Sequence, residues 1–141
     1  MNRQETIRHL LKTSKTIAVV GLSPKPHRES FGVSKTMQSL GYRIIPINPL
    51  VSGQGGSVLG EKAYASLTEA AQHERIDLVN IFRNSEDVPP VVDEAIAIGA
   101  PAVWMQMGIA HAEATAKAEA AGLLVVETAC LKVEFWRAKA G

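Results

Sequence analysis

Five short, mainly apolar runs punctuate this chain: Thr16–Val20, Tyr42–Ile47, Asp77–Phe82, Ala102–Met105 and Leu123–Val126. Their Val, Ile and Leu content is nearly continuous rather than alternating, the pattern of strands covered on both faces of a parallel sheet. Between them lie segments with helical spacing. Residues 3–13 place Ile7, Leu10 and Leu11 on one face, and Ser34–Leu40 continues the periodicity after the first run. Ser66-Leu67-Thr68-Glu69 has the spacing of a capping box and opens a short helix. Another helix begins between Ser85 and Pro90, where prolines in a first turn lose no needed hydrogen bond, and runs to Gly99. The alanine-rich stretch Ala112–Ala121 is a helix stopped by Gly122, and Leu50–Ser57 reads as a flexible loop. Strands alternating with helices predict an α/β, three-layer fold with a five-stranded, mainly parallel sheet. No repeat, linker or second unit interrupts the pattern. Residues 1–141 are expected to form a single domain, with an N-terminal helix at 3–13 and a core over 16–135.

The first strand runs into a turn with its own chemistry. Gly21-Leu22-Ser23-Pro24-Lys25-Pro26-His27-Arg28-Glu29-Ser30-Phe31-Gly32-Val33 leads into a helix and then a second strand, a Rossmann-like unit. Such a turn aims backbone N–H groups and the positive helix end at one point, where an anion gains from both. Gly21 allows a sharp turn off the strand, and Gly32 allows close approach to the helix start. Ser30 is the expected N-cap and a further donor to a phosphate oxygen. A dinucleotide fingerprint would read G-x-G-x-x-G with an acidic residue about 20 positions later. Here Ser23 replaces the second glycine, the loop is longer, and the second strand ends in Ile47-Asn48-Pro49 with no acid. That disfavours NAD. Lys25, His27 and Arg28 supply more positive charge than a pyrophosphate demands, which suits a ligand with an additional phosphate. An ordinary turn carrying solvated basic residues is the alternative.

Ligands of parallel sheets bind beyond the carboxyl ends of the strands. This adds Asn48 for a ribose or adenine edge, Phe82 as an apolar wall, and Gly108 for close backbone approach, a plain turn glycine being the alternative. Arg83 reads equally as a phosphate or partner contact and as a solvated arginine at a strand end.

Catalytic groupings are sparse. His9 and His73 read as surface residues, His111 as a cap-region residue, and no His or Cys cluster has metal spacing. Cys130 has Glu127, Lys132 and Glu134 near it in sequence, but a buried, inert thiol is the expected state. A net charge of +1 with no basic stripe argues against nucleic acid and against a membrane surface. No apolar run approaches a membrane span, the first residues lack the apolar core of a signal peptide, and a lone cysteine fits a cytoplasmic location.

Several separated stretches in this order resemble the stand-alone CoA-binding domain proteins, small relatives of the N-terminal domain of the succinyl-CoA synthetase α subunit. They are Gly21–Pro26, Ser30–Val33, Gly41–Pro49, Gly60–Tyr64, Asp77–Arg83, Ser85–Pro90, Val103–Ile109 and Cys130–Glu134. Glu29 departs from the pattern where relatives often have proline, as does Thr128-Ala129 where they often carry an Asp and a basic residue. The resemblance implies coenzyme A as ligand and adds Phe31, within the matching helix start, to the binding residues. It implies a module without synthetase chemistry, since the phosphorylated histidine of the synthetase belongs to a second domain. The leading expectation is a cytoplasmic protein that binds coenzyme A or an acyl-CoA, as sensor or carrier, with pairing to a second copy or to another protein left open. The alternative is an enzyme: an NAD(P)-dependent oxidoreductase, or a CoA-thioester enzyme using Cys130.

Overall fold

The computed structural model describes residues 1–140. Helix α1 (Arg3–Thr13) is closed at its start by a reciprocal capping box in which Asn2 and Glu5 each bond the other's backbone N–H. Strand β1 (Thr16–Val20) leads through the glycine turn into α2 (Glu29–Ser39), then β2 (Arg43–Ile47) and the short α3 (Pro49–Gly53). A two-residue-a-side hairpin, β3 (Ser57–Val58) and β4 (Glu61–Lys62), precedes α4 (Leu67–Ala71) and β5 (Leu78–Ile81). A 3₁₀ turn (Ser85–Asp87) opens α5 (Val88–Ala97), followed by β6 (Ala102–Met105), α6 (Ala112–Ala120), β7 (Leu124–Val126) and α7 (Leu131–Ala140).

Five strands form one parallel sheet in the order β2-β1-β5-β6-β7, with the antiparallel β3-β4 hairpin apart from it. Alternate side chains feed two cores, because successive residues of a strand point to opposite faces. Ile17 and Val19, Leu78, and Trp104 pack with α1, α2 and the start of α7. Ala18 and Val20, Val79 and Ile81, and Val103 and Met105 pack with α4, α5 and α6. The nearly continuous apolar runs are the direct cause: a strand covered on both faces leaves little room for polar side chains, and Asn80 in β5 is the buried exception.

Two local expectations are corrected, a third is extended, and one helix is added. Helix α2 starts at Glu29 rather than near Ser34, so Ser30 is not its N-cap; Arg28 holds that position and makes no side-chain cap bond. Residues 50–57 are not simply a flexible loop, since Asn48 accepts from the Leu50 and Val51 N–H groups and Pro49 starts α3. The signal was an N-cap residue followed by proline, overshadowed by the glycines after it. Ser66 does accept from the Glu69 N–H, but α4 is completed from outside, by the Glu94 carboxylate on the Leu67 and Thr68 N–H groups. The closing α7 had no counterpart in the sequence reading. Its exposed Val133 and Trp136 blur the amphipathic pattern, while Leu131 and Glu134 are buried.

The register sets the site. Val20 lies level with Ile47 on one side and Ile81 on the other, so three strands end flush. The chain winds from β1 outward to β2, then crosses back to β5 on the other side of β1. The reversal of strand order therefore falls between β1 and β5, where Gly21 follows β1 and Phe82 follows β5. Gly21 has φ +88°, and a Cβ there would lie 2.2 Å from the Phe82 carbonyl oxygen. Its own N–H donates to the Ile47 carbonyl at 3.0 Å. Gly32, in contrast, is helical and faces open space.

These two glycines should respond oppositely. Gly21→Ala adds a left-handed backbone cost of about 1–2 kcal/mol to overpacking of about 1–3 kcal/mol, a loss of roughly 2–5 kcal/mol. Gly32→Ala should gain about 0.5–1 kcal/mol by stiffening a helix position. Urea unfolding of both variants checks this, and a neutral Gly21→Ala would refute the tight turn.

Candidate functional site

A cavity of about 960 Å³ opens over the flush strand ends at the reversal point. That volume is at the upper end of the range typical for small-molecule sites, about 300–1,000 Å³. One wall is the β1–α2 loop. Here the Ser23 N–H donates to Ser30 Oγ at 3.0 Å, the Lys25 N–H to Ser23 Oγ at 3.1 Å, and the Arg28 N–H to the Lys25 carbonyl at 3.0 Å. The two hydroxyls thus brace the loop as acceptors while each retains a proton to donate. Ser30 is buried within the first turn of α2, and both serines line the cavity.

The start of α2 differs from most other helix starts in the molecule. Asn2, Asn48, Ser66 and His111 cap α1, α3, α4 and α6 with side-chain acceptors. Arg28 supplies none, which leaves the first-turn N–H groups of α2 beside the cavity for an external anion. Lys25 and Arg28 are exposed on the same wall, and Arg83 reaches the cavity from the end of β5. Among the described residues none of these three has a carboxylate within 4.0 Å. Glu29, the first residue of α2, places a single carboxylate on the lining next to them.

Of the residues singled out from the sequence, Gly21, Ser23, Lys25, Arg28, Ser30, Asn48, Phe82, Arg83 and Gly108 all line this cavity. Phe31 and Gly32 do not: Phe31 packs half-buried against the α2 side of the core, and Gly32 lies past the helix start, off the lining. His27 is exposed and likewise off it. Asn48 is tied into the scaffold. Besides capping α3, its Nδ2 donates to the Leu22 carbonyl at 3.0 Å and so joins the loops after β1 and β2. Phe82 is on the lining and packs, half-buried, against the core. Gly108 has φ +82°, and its N–H donates to Thr128 Oγ1 at 2.8 Å. Thr128 itself adopts φ 42°, unusual for a β-branched residue, and its conformation fixes the loop after β6.

The carboxyl-end rule also pointed to Met107, whereas the sequence reading missed the lining contributed by Leu50, Val51, Gln54, Asn84, Ser85, Gln106 and Ile109. Leu50 and Met107 are large apolar side chains left 80% and 56% exposed at the rim. Gln106 was visible as a polar residue just past an apolar strand run. Together these residues divide the cavity by chemistry. The β1–α2 side is cationic and rich in N–H donors, and the β6 side is neutral, with Met107 and Ile109 apolar. Such a surface suits a long ligand, phosphorylated at one end and uncharged along the other. Cys130 lies in the core against α7 rather than on the lining. Among the described residues no three His, Cys, Asp or Glu side chains group as a metal site, and no helix is long and apolar enough to cross a membrane.

Comparison with known proteins finds a family and several similar chains. An uncharacterized protein of Bacillus subtilis, YneT, is 44% identical over 127 residues, 90% of each chain. A hypothetical protein from Pyrococcus horikoshii superposes with a TM-score of 0.88 at 36% identity, over 96% of this chain and 92% of the other. A protein from Thermus thermophilus does so with a TM-score of 0.89 at 36% identity, over 98% and 99%. The family described as CoA binding domain matches residues 15–136, a span holding all five sheet strands and every cavity-lining residue. The chain therefore belongs to the CoA binding domain family.

Proposed function

We propose that this protein binds coenzyme A or an acyl-CoA in the cavity at the reversal point, and acts as a cytoplasmic sensor or carrier of that ligand rather than as an enzyme. The observation that carries the reading is the start of α2, which has no side-chain cap and follows Lys25 and Arg28 on a cavity large enough for an extended ligand. Lys25, Arg28 and the α2 N–H groups would hold phosphates, and Ser23 and Ser30 would donate to them. Phe82, Met107 and Ile109 offer contact for the uncharged arm. Against an NAD site stands the end of β2, where Asn48 has no carboxylate to offer a ribose and its amide is already engaged by Leu22. In support of a role without chemistry, the lining carries no nucleophile set beside a base, and Cys130 is buried away from it.

Ligand choice gives the first test. Coenzyme A at equal concentration should raise the melting temperature more than dephospho-CoA or NAD, with about 2.7 kcal/mol of stabilisation at a hundred times its dissociation constant. Equal shifts for coenzyme A and dephospho-CoA would remove the role of the additional phosphate, and a shift with NAD alone would overturn the reading. Arg28→Ala should weaken coenzyme A binding in calorimetry while leaving the unliganded melt within about 0.5 kcal/mol of the parent, as befits an exposed residue with no ion pair. Unchanged affinity would make Arg28 a solvated charge. Incubation with acetyl-CoA should release free thiol no faster than buffer does. Release that disappears in Cys130→Ser would establish a thioester enzyme instead.

A further inference from the structure

Under the β6 side of the cavity lies a pair of buried carboxamides whose orientation is fixed. Asn80, fully buried in β5, donates from Nδ2 to the Trp104 carbonyl at 3.2 Å and to Gln106 Oε1 at 3.3 Å. The Trp104 carbonyl is an acceptor only, so it fixes which end of the Asn80 amide faces it. That end, a donor, in turn fixes Gln106 with its oxygen toward Asn80. What remains of Gln106 is Nε2, a donor with no hydrogen-bond partner among the described residues, on a residue only 1% exposed that nevertheless lines the cavity. A buried donor without an acceptor is costly and uncommon enough to call for a partner.

We propose that Gln106 is a specificity residue for the uncharged arm of the ligand, its Nε2 donating to an amide or thioester carbonyl oxygen, with Asn80 as its positioning residue. The inference rests on the coenzyme A reading and adds to it the group that this end of the site recognises. A carbonyl suits the position better than a phosphate. Gln106 is followed on the lining by Met107, Gly108 and Ile109, all uncharged, whereas Lys25 and Arg28 stand on the β1–α2 wall and Arg83, the one cation on the β5 side, follows Phe82. The Gly108 N–H is already bonded to Thr128 and the Ile109 N–H to the Gln106 carbonyl, which leaves Gln106 Nε2 as the buried side-chain donor of that stretch without an acceptor among the described residues.

The experiment compares two probes that share every phosphate: coenzyme A, and adenosine 3′-phosphate 5′-diphosphate, which lacks the arm. Calorimetry on the parent should show coenzyme A binding more tightly. Gln106→Leu and the near-isosteric Gln106→Glu should each weaken coenzyme A by about three- to tenfold, the worth of one hydrogen bond, and leave the armless compound unchanged. Melting curves confirm that each variant is folded, and the Glu variant keeps the test alive where Leu perturbs the interior. Equal losses for both probes in both folded variants, or no loss for either, would overturn the role of Gln106 while leaving the coenzyme A site standing. A parent protein that binds neither probe would overturn the coenzyme A reading and this inference with it.

Discussion

The approach of the Gly21 backbone to the Phe82 carbonyl is the constraint on which the rest of the molecule depends. Two parallel strands, β1 and β5, lie side by side at the reversal of strand order, and the chain leaving β1 must turn without touching the chain leaving β5. Only a residue without a Cβ fits, in a conformation that other residues reach at a cost. Once that turn is made, the loop is carried over the flush strand ends and α2 starts beside the cavity. A bulkier turn would push the start of α2, with Lys25 and Arg28, away from the flush strand ends. Stability and site geometry thus meet in one contact between two backbones.

The layered fold was legible because burial on both faces leaves a plain trace. Val19 and Val20, or Trp104 and Met105, are neighbours in sequence that feed opposite cores, and both must be apolar. The loop chemistry was legible for a related reason: Lys25 and Arg28 follow a glycine at a strand end, and little in a core would place them there. The helix start at Glu29 was less so. Proline and glycine around it obscure the periodicity, and its defining feature is the absence of a cap, which no residue type announces. Helix α7 failed on amphipathicity, since its buried Glu134 and exposed Trp136 invert the usual pattern.

The neutral half of the cavity was the least legible. Gln106 is meaningful only through Asn80, which is 26 positions away in sequence and adjacent only because β5 pairs with β6. The same holds for Thr128, whose hydroxyl reaches Gly108 across 20 residues. Read along the chain, each is an isolated polar residue. Their roles come from strand pairing, which brings side chains together without leaving a local pattern.

Asn48 carries a consequence for the energetics of ligand capture. By bonding the Leu22 carbonyl while capping α3, it fastens the loop after β1 to the element after β2, and Ser23 and Ser30 stiffen the same loop from within. The entropy of ordering this wall is therefore lost when the chain folds rather than when a ligand arrives. Association of a ligand would then require no coupled folding of the loop. The heat-capacity change on binding becomes a measure of the apolar surface of ligand and cavity removed from water, free of the larger contribution that an ordering segment would add.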